Sequence, residues 1–247
     1  MNARERMLGR LRAAAPSNVP SDALQRLDER IDGHYDSRRA VRPAATLSTQ
    51  ALVESMQAAL SASHAEVFRA TERTWPALIA QRLAETKVKR VLLDTSRAEG
   101  AALQHALPDA IAASNYDQPI ENWKAELFET IDAGFTVARS GIASTGTLIV
   151  SPDAGSPRTM SLVPPLHIAL VYAHSLHADL HAAMRGEQWQ AGMPTNLVLI
   201  SGPSKTSDIQ QTLAYGAHGP RELWVVIVEH QADTAIDPAT HAHGDHA

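Results

Sequence analysis

Apolar positions follow two rhythms along this chain. In the first they recur every three or four residues. Leu52, Met56 and Leu60 stand four apart, directly after Ser48, a residue type suited to an N-cap. The spacing predicts a helix from Ser48 to about Ala62. Thr74–Glu85 repeats the rhythm, with Pro76 in the first turn, where proline is tolerated. Ser96–Leu107 does so again and is ended by Pro108. Two shorter helices are predicted over Glu126–Ala133, with Gly134 as its stop, and over Ser175–Arg185, stopped by Gly186. In the second rhythm the apolar residues are contiguous and the runs are short. Glu66–Ala70, Val91–Asp94, Phe135–Ser140, Leu148–Val150, Ile168–Tyr172, Leu197–Ile200 and Leu223–Val228 read as strands. Helices alternating with such runs predict an α/β fold, a mostly parallel sheet flanked by helices.

Ahead of this region, residues 2–14 are helical in pattern, with Met7, Leu8 and Leu11 on one face and Arg4, Arg6, Arg10 and Arg12 around it. Such a helix can lie on the body, on a partner or on a membrane surface. Pro16, Pro20, Gly33 and Pro43 punctuate residues 15–45, where a short helix is expected near Asp22–Arg30. The organisation expected is an N-terminal helical arm over 1–45, an α/β domain over 46–232 and a polar tail over 233–247. The tail carries His241, His243 and His246 and has the composition of a disordered segment.

Composition narrows the function. The 247 residues carry a net charge of −5 and 4% aromatic residues, which argues against a nucleic-acid surface. There is no cysteine, hence no disulfide, no thiolate nucleophile and no cysteine-ligated iron–sulfur cluster of the chain's own. Any electron carriers must then sit on a partner. The longest apolar runs are about six residues, against roughly 20 for a membrane span. The N-terminus lacks the apolar core of a signal peptide, so a cytoplasmic protein is expected.

Candidate chemistry gathers in loops. Ser201-Gly202-Pro203-Ser204-Lys205-Thr206-Ser207-Asp208 follows an apolar run and is expected to open a helix. Unpaired N–H groups at a helix start, beside Ser204, Lys205 and Thr206, can hold an anion. Equally, Ser207 and Gln210 fit a capping box, and the loop can be only a cap. The spacing is not that of a P-loop. Gly216-Ala217-His218-Gly219-Pro220 precedes the last strand. Parallel strands would bring both turns to one sheet edge, where open α/β folds bind ligands. His218 is a candidate acid/base or hydrogen-bond donor, or a turn histidine bonded to backbone. Thr145, Gly146 and Thr147 lie in a turn of small residues and hydroxyls, without the elbow of a nucleophilic serine. Arg158 can pair with a carboxylate or phosphate, or stay solvated. His174, His177 and His181 share a face if Ser175–Arg185 is helical. Without an H-E-x-x-H pattern they are a weak metal candidate against an exposed polar face. No metal site is therefore assigned.

Ala143-Ser144-Thr145-Gly146-Thr147, Arg158 with Pro164-Pro165-Leu166-His167, Ser201 through Ile209 and Gly216 through Pro220 occur in the order and spacing of one family. The chain resembles lactate utilisation protein C, the LUD-domain family, over roughly residues 40–230. The resemblance implies a NagB/RpiA/CoA-transferase-like fold. It implies a part in oxidising L-lactate to pyruvate beside two partner proteins with iron–sulfur clusters. The ligand pocket would be lined by Thr145, Gly146, Thr147, Arg158, Ser201, Gly202, Ser204, Lys205, Thr206, His218 and Gly219, with a small anionic ligand. No cofactor is expected in this chain. Family members often carry Glu or Asp where this chain has Ser144. Two other readings stay open. One is a stand-alone CoA-transferase-like or sugar-phosphate-isomerase-like enzyme with Asp208 as its carboxylate. The other is a regulatory ligand-binding module.

Overall fold

The computed structural model describes residues 3–14, 20, 22–41, 48–207 and 213–230. The chain divides into two units, Met1–Thr46 and Leu47–Ala247. The first holds α1 (Ala3–Ala14) and α2 (Ala23–Val41). No residue of α1 is buried, and Leu24, Leu27 and Ile31 of α2 are exposed. The helix predicted over Asp22–Arg30 runs on to Val41. Leu24, Leu27 and Ile31 keep helical spacing, and a lone Gly33 costs a helix only about 1 kcal/mol. The histidine-bearing tail lies outside the described residues.

The second unit runs α3 (Thr49–Ala62), β1 (Glu66–Thr71), α4 (Trp75–Ala84), β2 (Arg90–Leu92), α5 (Ala98–Ala106), β3 (Ala112–Ser114) and α6 (Ile120–Glu129). It continues with β4 (Ala133–Val137), β5 (Ser140–Ile142), β6 (Thr147–Val150), α7 (Thr159–Leu162) and β7 (Leu166–Tyr172). It closes with β8 (Leu176–His177), α8 (Leu180–Gly186), β9 (Val198–Ile200), β10 (Lys205–Ser207), β11 (Leu213–Tyr215) and β12 (Glu222–Glu229). Six strands form one sheet in the order β1-β12-β7-β4-β2-β3, every neighbouring pair parallel. A second sheet, β8-β5-β6-β9, is mixed, and β10 pairs antiparallel with β11.

Side-chain alternation assigns the two faces of the large sheet. Ile168, Leu170, Trp224, Val226 and Val228 pack with Trp75, Ile79 and Leu83 of α4 and Leu103 of α5. Trp75 stacks on Phe135 with ring centroids 5.6 Å apart. On the opposite face Ala169, Val171, Leu223, Val225 and Ile227 meet Val53, Met56 and Leu60 of α3 and Leu148 and Val150 of the second sheet. Being covered on both faces explains why β7 and β12 read as unbroken apolar runs. Ile142 and Ile149 turn to the far side of the second sheet, against Ala183 of α8. The α3 start is as predicted: Ala51 N–H donates to Ser48 Oγ at 3.2 Å.

Three local expectations are corrected, and one strand stands where none was assigned. Gly134 does not stop a helix; it lies inside β4, and the helix ends at Glu129. A Cβ at Gly134 would stand 2.0 Å from Met160 O, so the glycine lets α7 close onto the strand. Ala112–Ser114, in a stretch without a clear pattern, is the edge strand β3. Ser175–Arg185 is a helical turn, a two-residue strand and the short α8, whose start is capped by Asp179 through Ala182 N–H at 2.7 Å. Lys205–Ser207, where a helix start was expected, is strand β10, paired in register with Leu213–Tyr215. Asp208, Ile209 and Gln210 lie outside the described residues.

Candidate functional site

Two turns are tied together by backbone. Ser204 N–H donates to Pro220 O at 2.8 Å, and Gly216 N–H donates to Ser204 O at 3.0 Å. They meet because β9, antiparallel to β6 in the second sheet, ends where β12 begins. The two turns do come together, but not at the carboxyl edge, where open α/β folds bind ligands. They sit at the amino edge of the large sheet, beside the first residues of β7 and β12.

A cavity of about 200 Å³ opens there. Leu199, Ile200 and Pro203 form one wall, Ser161 and Leu162 of α7 another, and His167 and Leu223 stand on the sheet beneath. Val198, Ser201, Gly202, Ser204, His218, Gly219 and Pro220 complete the described lining. Among the described lining residues there is no Lys, Arg, Asp or Glu.

His167 is the polar group set deepest, at 1% exposure. Its Nε2 lies 2.8 Å from Thr136 Oγ1 on β4, and its Nδ1 is buried without a partner among the described residues. Leaving such a group unpaired costs about 1–3 kcal/mol. Burial lowers the imidazole pKa from the ordinary 6.5 to about 4, so the ring is neutral at pH 7.

A line of hydroxyls reaches the cavity from the β5–β6 turn. Thr145 Oγ1 is 2.7 Å from Thr147 Oγ1, which is 2.8 Å from Ser201 Oγ. Gly146, in the left-handed region at φ +60°, makes the turn close enough to lie on α3. Ser55 Oγ of α3 donates to Ala143 O at 3.2 Å and holds it there.

The structure thus brings together Ser201, Gly202, Ser204, His218 and Gly219 at one cavity and joins Thr145 and Thr147 to it through Ser201. Arg158, exposed at the start of α7, does not line it. Neither do Lys205 and Thr206, which lie on β10. The lysine expected of an anion pocket is not among the described lining residues. His167, Leu223 and Ser161 were not among the residues picked out for the pocket. For His167 the signal was present: one imidazole inside the apolar run Leu166–Val171.

The three other histidines separate. His174 is exposed in a helical turn, 5.4 Å from the Tyr172 ring, His177 lies on β8 and His181 is buried in α8. They do not share a helical face, because two strand residues interrupt the spacing. Burial lowers the His177 pKa, with the Glu187 charge opposing. No group of three His, Cys, Asp or Glu among the described residues could hold a metal ion. Glu187 instead ties α8 to the second sheet: it accepts from Arg139 Nε at 2.8 Å, from Trp189 Nε1 at 2.8 Å and from Ser140 Oγ. No helix among the described residues is long and apolar enough to cross a membrane.

Comparison with known proteins places this architecture. The LUD domain model matches residues 53–228. An uncharacterized protein of Neisseria meningitidis serogroup B is 37% identical over 233 residues, 92% of this chain and 94% of that protein. Lactate utilization protein C of Shouchella clausii is 30% identical over 121 residues, 48% of this chain and 53% of that one. The protein of the same name from Oceanobacillus iheyensis is 20% identical over 92% of this chain and 98% of its own. A crystal structure of a DUF162 family protein from Deinococcus radiodurans superposes with a TM-score of 0.55 at 22% identity, covering 74% of this chain and 99% of that one, which speaks to the fold. The match over 53–228 spans the whole arrangement from α3 through the cavity to β12, and the chain belongs to the LUD domain family.

Proposed function

We propose that this chain is a cytoplasmic subunit of an L-lactate utilisation system, one that oxidises L-lactate to pyruvate together with iron–sulfur partner proteins. The observation that carries the reading is the likeness to proteins named lactate utilization protein C, joined to membership of the LUD domain family. The absence of cysteine supports the division of labour: thiolates for a cluster must come from another chain. In this reading the subunit transfers no electrons itself. It contributes the cavity between the Ser201–Ser204 and Gly216–Pro220 turns as a ligand site and helps organise the complex.

The test is growth on L-lactate as sole carbon source. Deleting the gene abolishes growth, and a plasmid copy restores it. Undiminished growth, in a host without a paralogue, refutes the proposal. A tagged copy isolated from lactate-grown cells brings down proteins with iron–sulfur absorbance; recovery of the chain alone refutes the subunit reading.

A further inference from the structure

The outer edge of the large sheet, at β1, has a definite pattern of used and unused main-chain groups. β12 lies on one side of β1, and no described strand lies on the other. Thr71 N–H turns away from β12 and donates to Thr74 Oγ1 at 3.0 Å. Just before the strand, Ala65 N–H donates to Leu60 O at 3.0 Å. Main-chain groups alternate sides along a strand, so those of Val67 and Arg69 face outward with Thr71. Among the described residues nothing pairs with them there. Edge strands are commonly guarded by free charge. Here both charged side chains are occupied within the chain. Arg69 is drawn back onto Glu229 at 2.7 Å and Gln50 at 3.1 Å, and Glu66 meets Arg82 at 3.3 Å. Val67 and Phe68, between them, are half-buried and apolar.

We infer that β1 pairs with β1 of a second copy, antiparallel about a two-fold axis, so that the two large sheets become one. The groups left free set the register. Val67 faces the partner's Arg69 and Arg69 faces the partner's Val67, each pair exchanging N–H···O=C bonds in both directions. Phe68 meets the partner's Phe68 on the axis as a non-hydrogen-bonded pair, the closer of the two kinds. No like charges oppose each other, since Arg69 lies against Val67 and Glu66 against Ala70. A slide of two residues either way calls on Ala65 or Thr71, whose N–H groups are committed, and one of the two slides sets arginine against arginine. The occupant is a second copy because this edge is complementary to itself, the requirement of a two-fold interface. The pairing follows from strand order and edge hydrogen bonds and is independent of the lactate assignment.

The experiment is sedimentation equilibrium on the full chain, which gives twice the 26.6 kDa chain mass. Val67→Pro removes an outward N–H at an edge position, where proline is tolerated, and raises the dimer dissociation constant at least about tenfold with circular dichroism unchanged. The chain has no cysteine, so one introduced thiol reports on position. Under mild oxidation Phe68→Cys forms a covalent dimer, whereas Glu72→Cys, which does not meet itself in this register, stays a single chain. A protein that is monomeric at every concentration overturns the inference, its edge then being open to an extended segment of some other protein. So does a dimer equally tight in folded Val67→Pro protein, or Phe68→Cys cross-linking no faster than Glu72→Cys. If Val67→Pro does not fold, the mass and the cross-linking comparison still decide.

Discussion

Gly146→Ala tests whether the hydroxyl-bearing turn is locked onto α3. The residue has φ +60°, and a Cβ there would stand 2.7 Å from Leu60 N and 2.9 Å from Ala59 C. Both neighbours named first are backbone atoms of a helix whose Val53, Met56 and Leu60 are fully buried, so neither can swing aside. Two costs add. Holding an alanine left-handed costs about 1–2 kcal/mol. Forcing the turn and the helix apart is an overpacking of about 1–3 kcal/mol. The sum, about 2–5 kcal/mol, is a large part of the 5–15 kcal/mol typical of a domain. Urea unfolding followed by circular dichroism and by tryptophan fluorescence measures it, with Ser144→Ala as control. Ser144 is exposed two residues earlier in the same turn, and its loss should stay within about 0.5 kcal/mol. A Gly146→Ala loss below about 1 kcal/mol, or one equal to the control, refutes the argument that contact with α3 fixes this turn.

Further outcomes follow from other parts of the structure. Met56→Ala removes a fully buried side chain between α3 and the sheet and should lower unfolding free energy by about 2–5 kcal/mol in the same assay. Glu187→Ala leaves Ser140, Trp189 and Arg139 without their shared acceptor and should cost about 1–3 kcal/mol; a change within about 0.5 kcal/mol would show that the carboxylate is not a tie. The His167 pKa is about 4 in the folded protein against 6.5 ordinarily, so between pH 6.5 and 4 the unfolded chain binds a proton that the folded chain refuses. This group's contribution is then complete above pH 6.5 and falls as the pH drops, by roughly 3 kcal/mol on reaching pH 4. Unfolding curves of His167→Phe over that range should lack this component, and an unchanged pH slope would contradict the buried neutral imidazole.

Much of the frame was readable from residue order, for physical reasons. β7 and β12 lie inside the large sheet and are covered on both faces, so they had to be unbroken apolar runs. Ser48 and the four-residue spacing of Leu52, Met56 and Leu60 marked α3 because capping and burial are local signals. β3 was not readable: Ala112-Ala113-Ser114 lies at a sheet edge, where little burial is demanded of it. The strand β10 was mistaken for a helix start because a hydroxyl-rich segment after an apolar run satisfies an N-cap and a hairpin equally well. Only the pairing with Leu213–Tyr215 separates the two, and pairing is not local. The same holds for the cavity. Its polar turns were visible as motifs, but His167 and Leu223 join it through strand order, since β7 and β12 are neighbours in space and more than 50 residues apart in sequence.

The double tether at Ser204 limits what that residue can offer a visitor. Its N–H is committed to Pro220 and its C=O already accepts from Gly216. A main-chain amide that is occupied cannot serve as an oxyanion donor unless the turn comes undone. The free donor left to Ser204 is therefore its hydroxyl, a group that both gives and takes a hydrogen bond and discriminates by direction rather than by charge.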